Sequence, residues 1–330
     1  VRKPTRNREV GRGEKVIPGV WRLRLPLPWP GVPHCNAFAL AAGDGIVLVD
    51  TGMHEPGSMA HLERALDQAG LRVEHVRLVV CTHAHVDHCG QAPSVAERAG
   101  CELWMHPNHA HHTAADPEQA LVRRIEVARQ SGVPEAPLQR WIEQRRGQGS
   151  GQAGTLQIDR ELVEGVTVSS DLGEWQVLET PGHAPSHVCL HQPERRLLIS
   201  GDHLLGRVSL YFDAGYTPDP VGEFLASLDK VAALDARLAL AGHGRPFTDV
   251  PGHIEANRAL VVHRLDAVRA ALAGGARTAY EVARAVYGDA FTDATSAWLL
   301  TKTLCWLTHL ERLDEAAHEG ESPERWSRTA

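Results

Sequence analysis

The stretch "CTHAHVDHCG", Cys81 to Gly90, constrains this chain more than any other. It follows the apolar run "VRLVV" (Val76 to Val80) and places three histidines and an aspartate within six positions. Imidazoles titrate near pH ~6.5 and repel when crowded and protonated. The spacing therefore points to positive ions held among them, delivered on a loop that a buried strand fixes.

Three later segments repeat the layout of an apolar strand ending in a Gly turn beside a ligand-type residue: "LETPGHAPSH" with His183, "LLISGDHLL" with Asp202, and "LALAGHG" with His243. Alone, each reads as ordinary turn chemistry. Joined to the dense motif, they give His83, His85, Asp87, His88, His183, Asp202 and His243, enough for two metal ions sharing a carboxylate. Asp50 in "VDTG" reads either as the partner that fixes a ligand histidine through its other ring nitrogen or as a strand-end Asx turn. The group His106, His109, His111 and His112 reads as a solvated helix start, having no acidic partner at ligand spacing, and is left out of the site.

Apolar runs at Val20 to Leu27, Cys35 to Ala42 and Gly45 to Asp50 predict strands, and Leu62 and Leu66 mark a helix from Ser58 to Ala69. A mostly helical insert spans 107–146. Strands return at Trp175 to Thr180, His187 to Gln192 and Arg196 to Ser200. Asp219 as N-cap with Pro220 opens a helix, "RLALAGHG" is a last strand, and a helix covers Ile254 to Leu272. This order predicts an α/β, four-layer αββα sandwich. Residues 1–15 read as a flexible basic tail, 16–275 as the main domain and 276–330 as a small helical domain, opened by the capping box "TAYE" at Thr278.

With 330 residues and 43% hydrophobic content the chain can bury a full core. Six cysteines show no disulfide framework, no apolar run is long enough to span a membrane, and no signal-peptide pattern opens the sequence, so the expected address is the cytoplasm. A net charge of -7 disfavours phosphate backbones as partners.

The motif T-H-x-H-x-D-H, preceded by "LVDTG" and followed in order by "TPGH", "SGDH" and "GHG", resembles the metallo-β-lactamase-fold hydrolase superfamily over Val16 to Leu272. The resemblance implies that His83, His85 and His183 hold one metal and Asp87, His88 and His243 the other, with Asp202 bridging. Asp202 stands where true metallo-β-lactamases carry Cys or Ser, which sets the chain with the glyoxalase II-like and lactonase-like branch. Within that branch it departs from the hydroxyacylglutathione hydrolases at "GHGRPF", and from the lactonases at Leu205, where they place a tyrosine. Tyr211 and Tyr216 are the nearest tyrosines to line the substrate pocket. The end of the chain is similar to the winged-helix-like tail of a subgroup that includes endoribonucleases and thioesterases.

Imidazole and carboxylate donors without thiolate fit two zinc ions, and manganese or iron would suit the same set. Paired ions activate water and polarise the group it attacks, with Asp87 or Asp202 as catalytic carboxylates. The expected activity is hydrolysis of an ester, thioester or lactone of a small molecule. Nucleic acid is the alternative, disfavoured because residues 277–330 carry 6 Lys and Arg against 9 Asp and Glu. A metal-holding scaffold without catalysis is a further alternative. No membrane partner is expected, and the oligomeric state is open, a dimer included.

Overall fold

Alternation along the strands decides the layering. The computed structural model describes residues 10–29, 31–113, 117–145, 149–207 and 209–329. A first sheet runs in sequence order through β1 (Arg12–Ile17), β2 (Val20–Trp29), β3 (Val32–Ala42), β4 (Gly45–Val49), β5 (Val76–Val80), β6 (Glu102–Met105) and β7 (Arg160–Glu161). In β3, Phe38 and Leu40 point to one side and Cys35, Ala37 and Ala39 to the other. In β4, Val47 and Val49 join the first group and Ile46 and Leu48 the second. Both faces are apolar, so both must be covered.

Helices α1 (Ser58–Gln68) and α3 (Ala92–Ala99) cover the outer face with Leu62, Ala65, Leu66, Ala92 and Val95; the one-turn α2 (Val86–Cys89) lies between them in sequence. The inner face meets a second sheet, β8 (Thr167–Ser170), β9 (Gly173–Glu179), β10 (Val188–Gln192), β11 (Leu197–Gly201) and β12 (Leu238–Ala241), ordered β12-β11-β10-β9-β8. Here Val188, Leu190, Leu197, Ile199 and Leu240 face the first sheet, while Cys189, Leu198 and Ala239 face outward. Between the sheets Trp175 is fully buried, its indole N–H donating to Ser170 Oγ at 2.9 Å. Trp175→Ala should cost about 3–5 kcal/mol, read as a lower denaturation midpoint with unchanged slope in a urea titration.

The insert forms α4 (Ala110–Thr113), α5 (Pro117–Gln130) and α6 (Glu135–Arg145). Beyond the second sheet lie α7 (Pro220–Ala232) and α8 (Val250–Leu272), followed by α9 (Ala279–Tyr287), α10 (Ser296–Arg312) and the antiparallel hairpin β13 (Ala316–Glu319) and β14 (Arg325–Arg328). The N-cap expected at Asp219 is present, its side chain accepting from Gly222 N–H, and so is the capping box of Thr278 and Glu281. Residues of α7, α8, α9, α10, β13 and β14 share one apolar cluster, so the C-terminal segment packs directly on the sandwich.

Residues 12–15, expected to belong to a flexible tail, are instead held in a strand. Arg12–Ile17 is strand β1, paired antiparallel with β2, and Gly13 N–H donates to Gln68 Oε1 of α1 at 3.0 Å. Three of its six residues are exposed and none is buried at this sheet edge, so no apolar alternation marks it; residues 1–9 lie outside the described residues. All six cysteines are free, and no helix among the described residues is long and apolar enough to cross a membrane.

Candidate metal centre

The loops that leave the carboxyl ends of β4, β5, β9, β11 and β12 meet at one edge of the sandwich. Backbone hydrogen bonds staple that edge: Val188 N–H donates to Thr82 O (2.9 Å), Asn36 N–H to Gly242 O (2.7 Å) and Gly242 N–H to Gly201 O (2.8 Å). After β5 the chain bends through Thr82, His83 and Ala84, and His85, extended with φ -69° and ψ 140°, leads into α2. The bend carries His83, and the helical turn that follows brings Asp87 and His88 round.

Hydrogen bonds on the far ring nitrogens fix the tautomers. A carbonyl or carboxylate oxygen only accepts, so the ring nitrogen facing it carries the proton and the opposite nitrogen keeps its lone pair. His88 Nδ1 faces Asp50 Oδ2 (2.8 Å), His183 Nδ1 the Tyr211 carbonyl (3.0 Å), His243 Nδ1 the His34 carbonyl (2.9 Å), and His85 Nε2 faces Asp213 Oδ2 (2.8 Å). His83 Nδ1 lies 3.0 Å from Thr82 Oγ1, whose hydroxyl is spent on Asp50. Five lone pairs therefore point inward. Those of His83 and His183 come within 3.0 and 2.9 Å of His85 Nδ1, too close for three bare acceptors.

Asp87 and Asp202 complete the cavity. His243 Nε2 stands 3.1 Å from Asp87 Oδ2 and 3.3 Å from Asp202 Oδ2, and His88 Nε2 stands 3.5 Å from Asp87 Oδ2 and 3.4 Å from Asp202 Oδ1. His88 Nε2 and Asp202 Oδ1 are buried without a hydrogen-bond partner, at a cost of about 1–3 kcal/mol each unless an ion takes them up. Burial opposes charge on His243, yet Asp202 and Asp87 outweigh it and push its pKa up to about 10. His88 is likewise raised against its burial by Asp87, Asp202 and Asp50. Burial and then His85 instead bring His183 down to about 4. Asp87 and Asp202 thus draw positive charge to their half of the cavity, as they would a metal cation, while in the other half His83 and His183 are lowered by burial and neighbouring rings and His85 is raised against its burial by Asp213. The donors of His83, His85 and His183, of His83, His88 and Asp202, and of Asp87, His88 and His243 form three groups in which all atoms lie within 4.8 Å of one another.

A family model described as the metallo-beta-lactamase superfamily matches residues 30–243. The chain belongs to the metallo-β-lactamase superfamily. Among similar proteins, the probable metallo-hydrolase YqjP of Bacillus subtilis (strain 168) is 25% identical over 280 residues, covering 80% of this chain and 84% of that protein. An atrochrysone carboxyl ACP thioesterase of Pseudocercospora fijiensis (strain CIRAD86) is 24% identical over 266 residues, covering 79% of this chain and 64% of that protein. The crystal structure of the metallo-beta-lactamase family protein TTHA1429 from Thermus thermophilus superposes with a TM-score of 0.80 at 28% identity, covering 96% of this chain and 100% of that one.

This superfamily member carries further site residues that spacing alone does not reveal. All seven expected ligands converge, and Asp50 both binds His88 and accepts the Thr82 N–H at 2.8 Å, tying the ligand loop to β4. Tyr211 reaches the centre, its ring 5.8 Å from those of His85 and His183; Tyr216 instead packs beside His111 and His112, at 5.1 and 6.0 Å. Asp213, the partner of His85, went unseen because the two are 128 residues apart. Its position depends on Phe212, whose ring is held edge-on by Trp306 of α10 (5.1 Å) and Phe224 of α7 (5.3 Å). The C-terminal segment thus buttresses the metal centre.

The histidine group of the insert needs correction. His106 is buried and bonds Glu179 at 3.2 Å, and His111 and His112 aim their Nε2 atoms at Asp213 Oδ2, each at 3.4 Å. Their acidic partner is distant in sequence, so local spacing reads them as solvated.

Proposed function

We propose that this metallo-hydrolase uses two divalent ions to hydrolyse an ester, thioester or lactone of a small molecule. The observation that carries the reading is the set of five inward imidazole lone pairs and two carboxylates in one buried cavity. His83, His85 and His183 would hold one ion, Asp87, His88 and His243 the other, and Asp202, whose Oδ2 lies 3.7 Å from His183 Nε2 and 3.3 Å from His243 Nε2, would serve both. Zinc suits the donors best, and manganese or iron would suit them too. When bound, such ions supply Lewis acidity and make water a nucleophile near neutral pH.

The chain's part is to orient and to move protons. Asp87 and Asp202 aim the attacking water and accept its proton on a carboxylate oxygen. Asp50, Asp213 and the Tyr211 and His34 carbonyls lock the ring tautomers. No cysteine competes as nucleophile, because burial raises the thiols of Cys81 and Cys89, the two nearest the ligands in sequence. The thioesterase among the relatives supports an acyl substrate. The acidic balance of residues 277–330 weighs against a phosphate-rich one, and six unpaired cysteines fit a reducing compartment such as the cytoplasm.

Chelator-treated protein should lose turnover of model thioesters and lactones and regain it on adding zinc, with little action on phosphodiesters or short RNA. Full activity in a metal-free sample would refute the mechanism, and faster cleavage of RNA than of any acyl substrate would refute the substrate class.

A further inference from the structure

We propose a third cation site, built from Asp213 and the cap histidines His111 and His112 and standing behind His85 on the side away from the metal pair. The argument is again one of tautomers. His111 Nδ1 lies 2.8 Å from the Asn108 carbonyl, so it carries the proton, and Nε2 keeps a lone pair. That lone pair faces Asp213 Oδ2 at 3.4 Å, two acceptors opposed in a buried place where the side chains are 6% and 4% exposed. His112 Nε2 stands at the same distance from the same oxygen. Both ring nitrogens are buried without a hydrogen-bond partner.

The opposed acceptors of His111 and Asp213 repel unless a positive charge lies between them. A proton there would serve His111 alone; a single metal ion would also take up the unpartnered His112 Nε2. The spacing agrees: bonds of about 2.0–2.1 Å in a tetrahedral zinc site place neighbouring donors about 3.3 Å apart. The donors of His112, Asp213 and His85 also lie within 4.8 Å of one another. His85 already gives its Nε2 proton to Asp213, so His111, His112 and Asp213 supply the ligands and His85 is the neighbour they steady. The His112 side chain, 20% exposed, marks the side from which an ion enters. Bound there, the ion pins α4 to the loop carrying Tyr211 and Asp213, which Arg123 of α5 also clasps through the Gly215 carbonyl (3.0 Å) and the Tyr216 ring (4.8 Å). The site is independent of the bond that the enzyme cleaves.

The test is stoichiometry and position. The full 330-residue chain, stripped with chelator, reloaded with Zn2+ alone and gel-filtered, is expected to retain three zinc ions by elemental analysis. The double variant His111→Gln, His112→Gln is expected to retain two, with unchanged circular dichroism. Anomalous diffraction at the zinc edge should place the third peak within bonding distance of Asp213 Oδ2 and both cap nitrogens. Two ions in the unaltered chain overturn this proposal and leave the paired site standing. Three ions in both proteins overturn it as well, because the third then lies elsewhere. Fewer than two in the unaltered chain would sink both readings.

Discussion

Replacing Asp202 with alanine is expected to lower kcat/KM by about a thousandfold, about 4 kcal/mol of transition-state stabilisation, and to lower bound zinc in the same preparation. Asp202 faces three of the ligand rings, with Oδ1 3.4 Å from His88 and Oδ2 3.3 Å from His243 and 3.7 Å from His183. Of the two cavity carboxylates, it is the one within 4 Å of rings from both halves. On the proposed two-ion reading its loss removes a ligand from each ion, and it also removes the charge that, with Asp87, raises His243 against its burial. Zinc is expected to raise the melting temperature of the unaltered protein, and in the variant that rise should shrink with affinity, since a ligand stabilises the folded state only as far as it binds. The β10–β11 pairing and the Gly201–Gly242 bond do not involve the carboxylate, so the variant should fold. An Asp202→Ala protein with full zinc content and unchanged turnover would remove the bridging role.

The parts of this fold that the sequence exposes are those in which one residue's environment repeats along the chain. β3, β4, β10 and β11 are covered on both faces, so apolar residues occupy successive positions rather than alternating and mark strands. The helix starts at Asp219 and Thr278 are written in residues that satisfy the free N–H groups of a first turn. The strands that escaped, β1, β7, β8, β13 and β14, lie at sheet edges or in the two-stranded hairpin and bury at most one side chain each, so they are held by backbone pairing that any sequence supplies. The site divides in the same way. His83, His85, Asp87 and His88 are legible because they share a loop, and His183, Asp202 and His243 because each repeats the strand-end turn. Asp213, His111 and His112 are not, for what unites them is contact across about a hundred residues of chain. Asp213 also follows no apolar strand run of the kind that flags the ligand turns, and depends instead on Phe212 being clamped by Trp306 and Phe224.

Gly242→Ala should act in the same direction as the Asp202 variant without replacing any ligand. A Cβ at Gly242 would fall 2.2 Å from Asp202 Oδ1 and 2.7 Å from His88 Cε1, far inside contact distance, so one partner must yield. The backbone cannot: Gly242 N–H is bound to Gly201 O at 2.8 Å and its carbonyl accepts from Asn36 N–H at 2.7 Å, with the Asn36 side chain donating to Ala241 O at 2.7 Å. His88 is held from behind by Asp50 and is fully buried. Asp202 Oδ1, which has no hydrogen bond, is the atom free to swing away. The methyl group therefore displaces the Asp202 carboxylate, and turnover should fall at least tenfold (about 1.4 kcal/mol), with zinc content falling alongside. Gly149→Ala serves as control, because a Cβ there meets nothing within 4 Å. Retention of full zinc and full activity by Gly242→Ala would mean that Asp202 can leave its place without consequence, and would contradict the account of this centre at its middle.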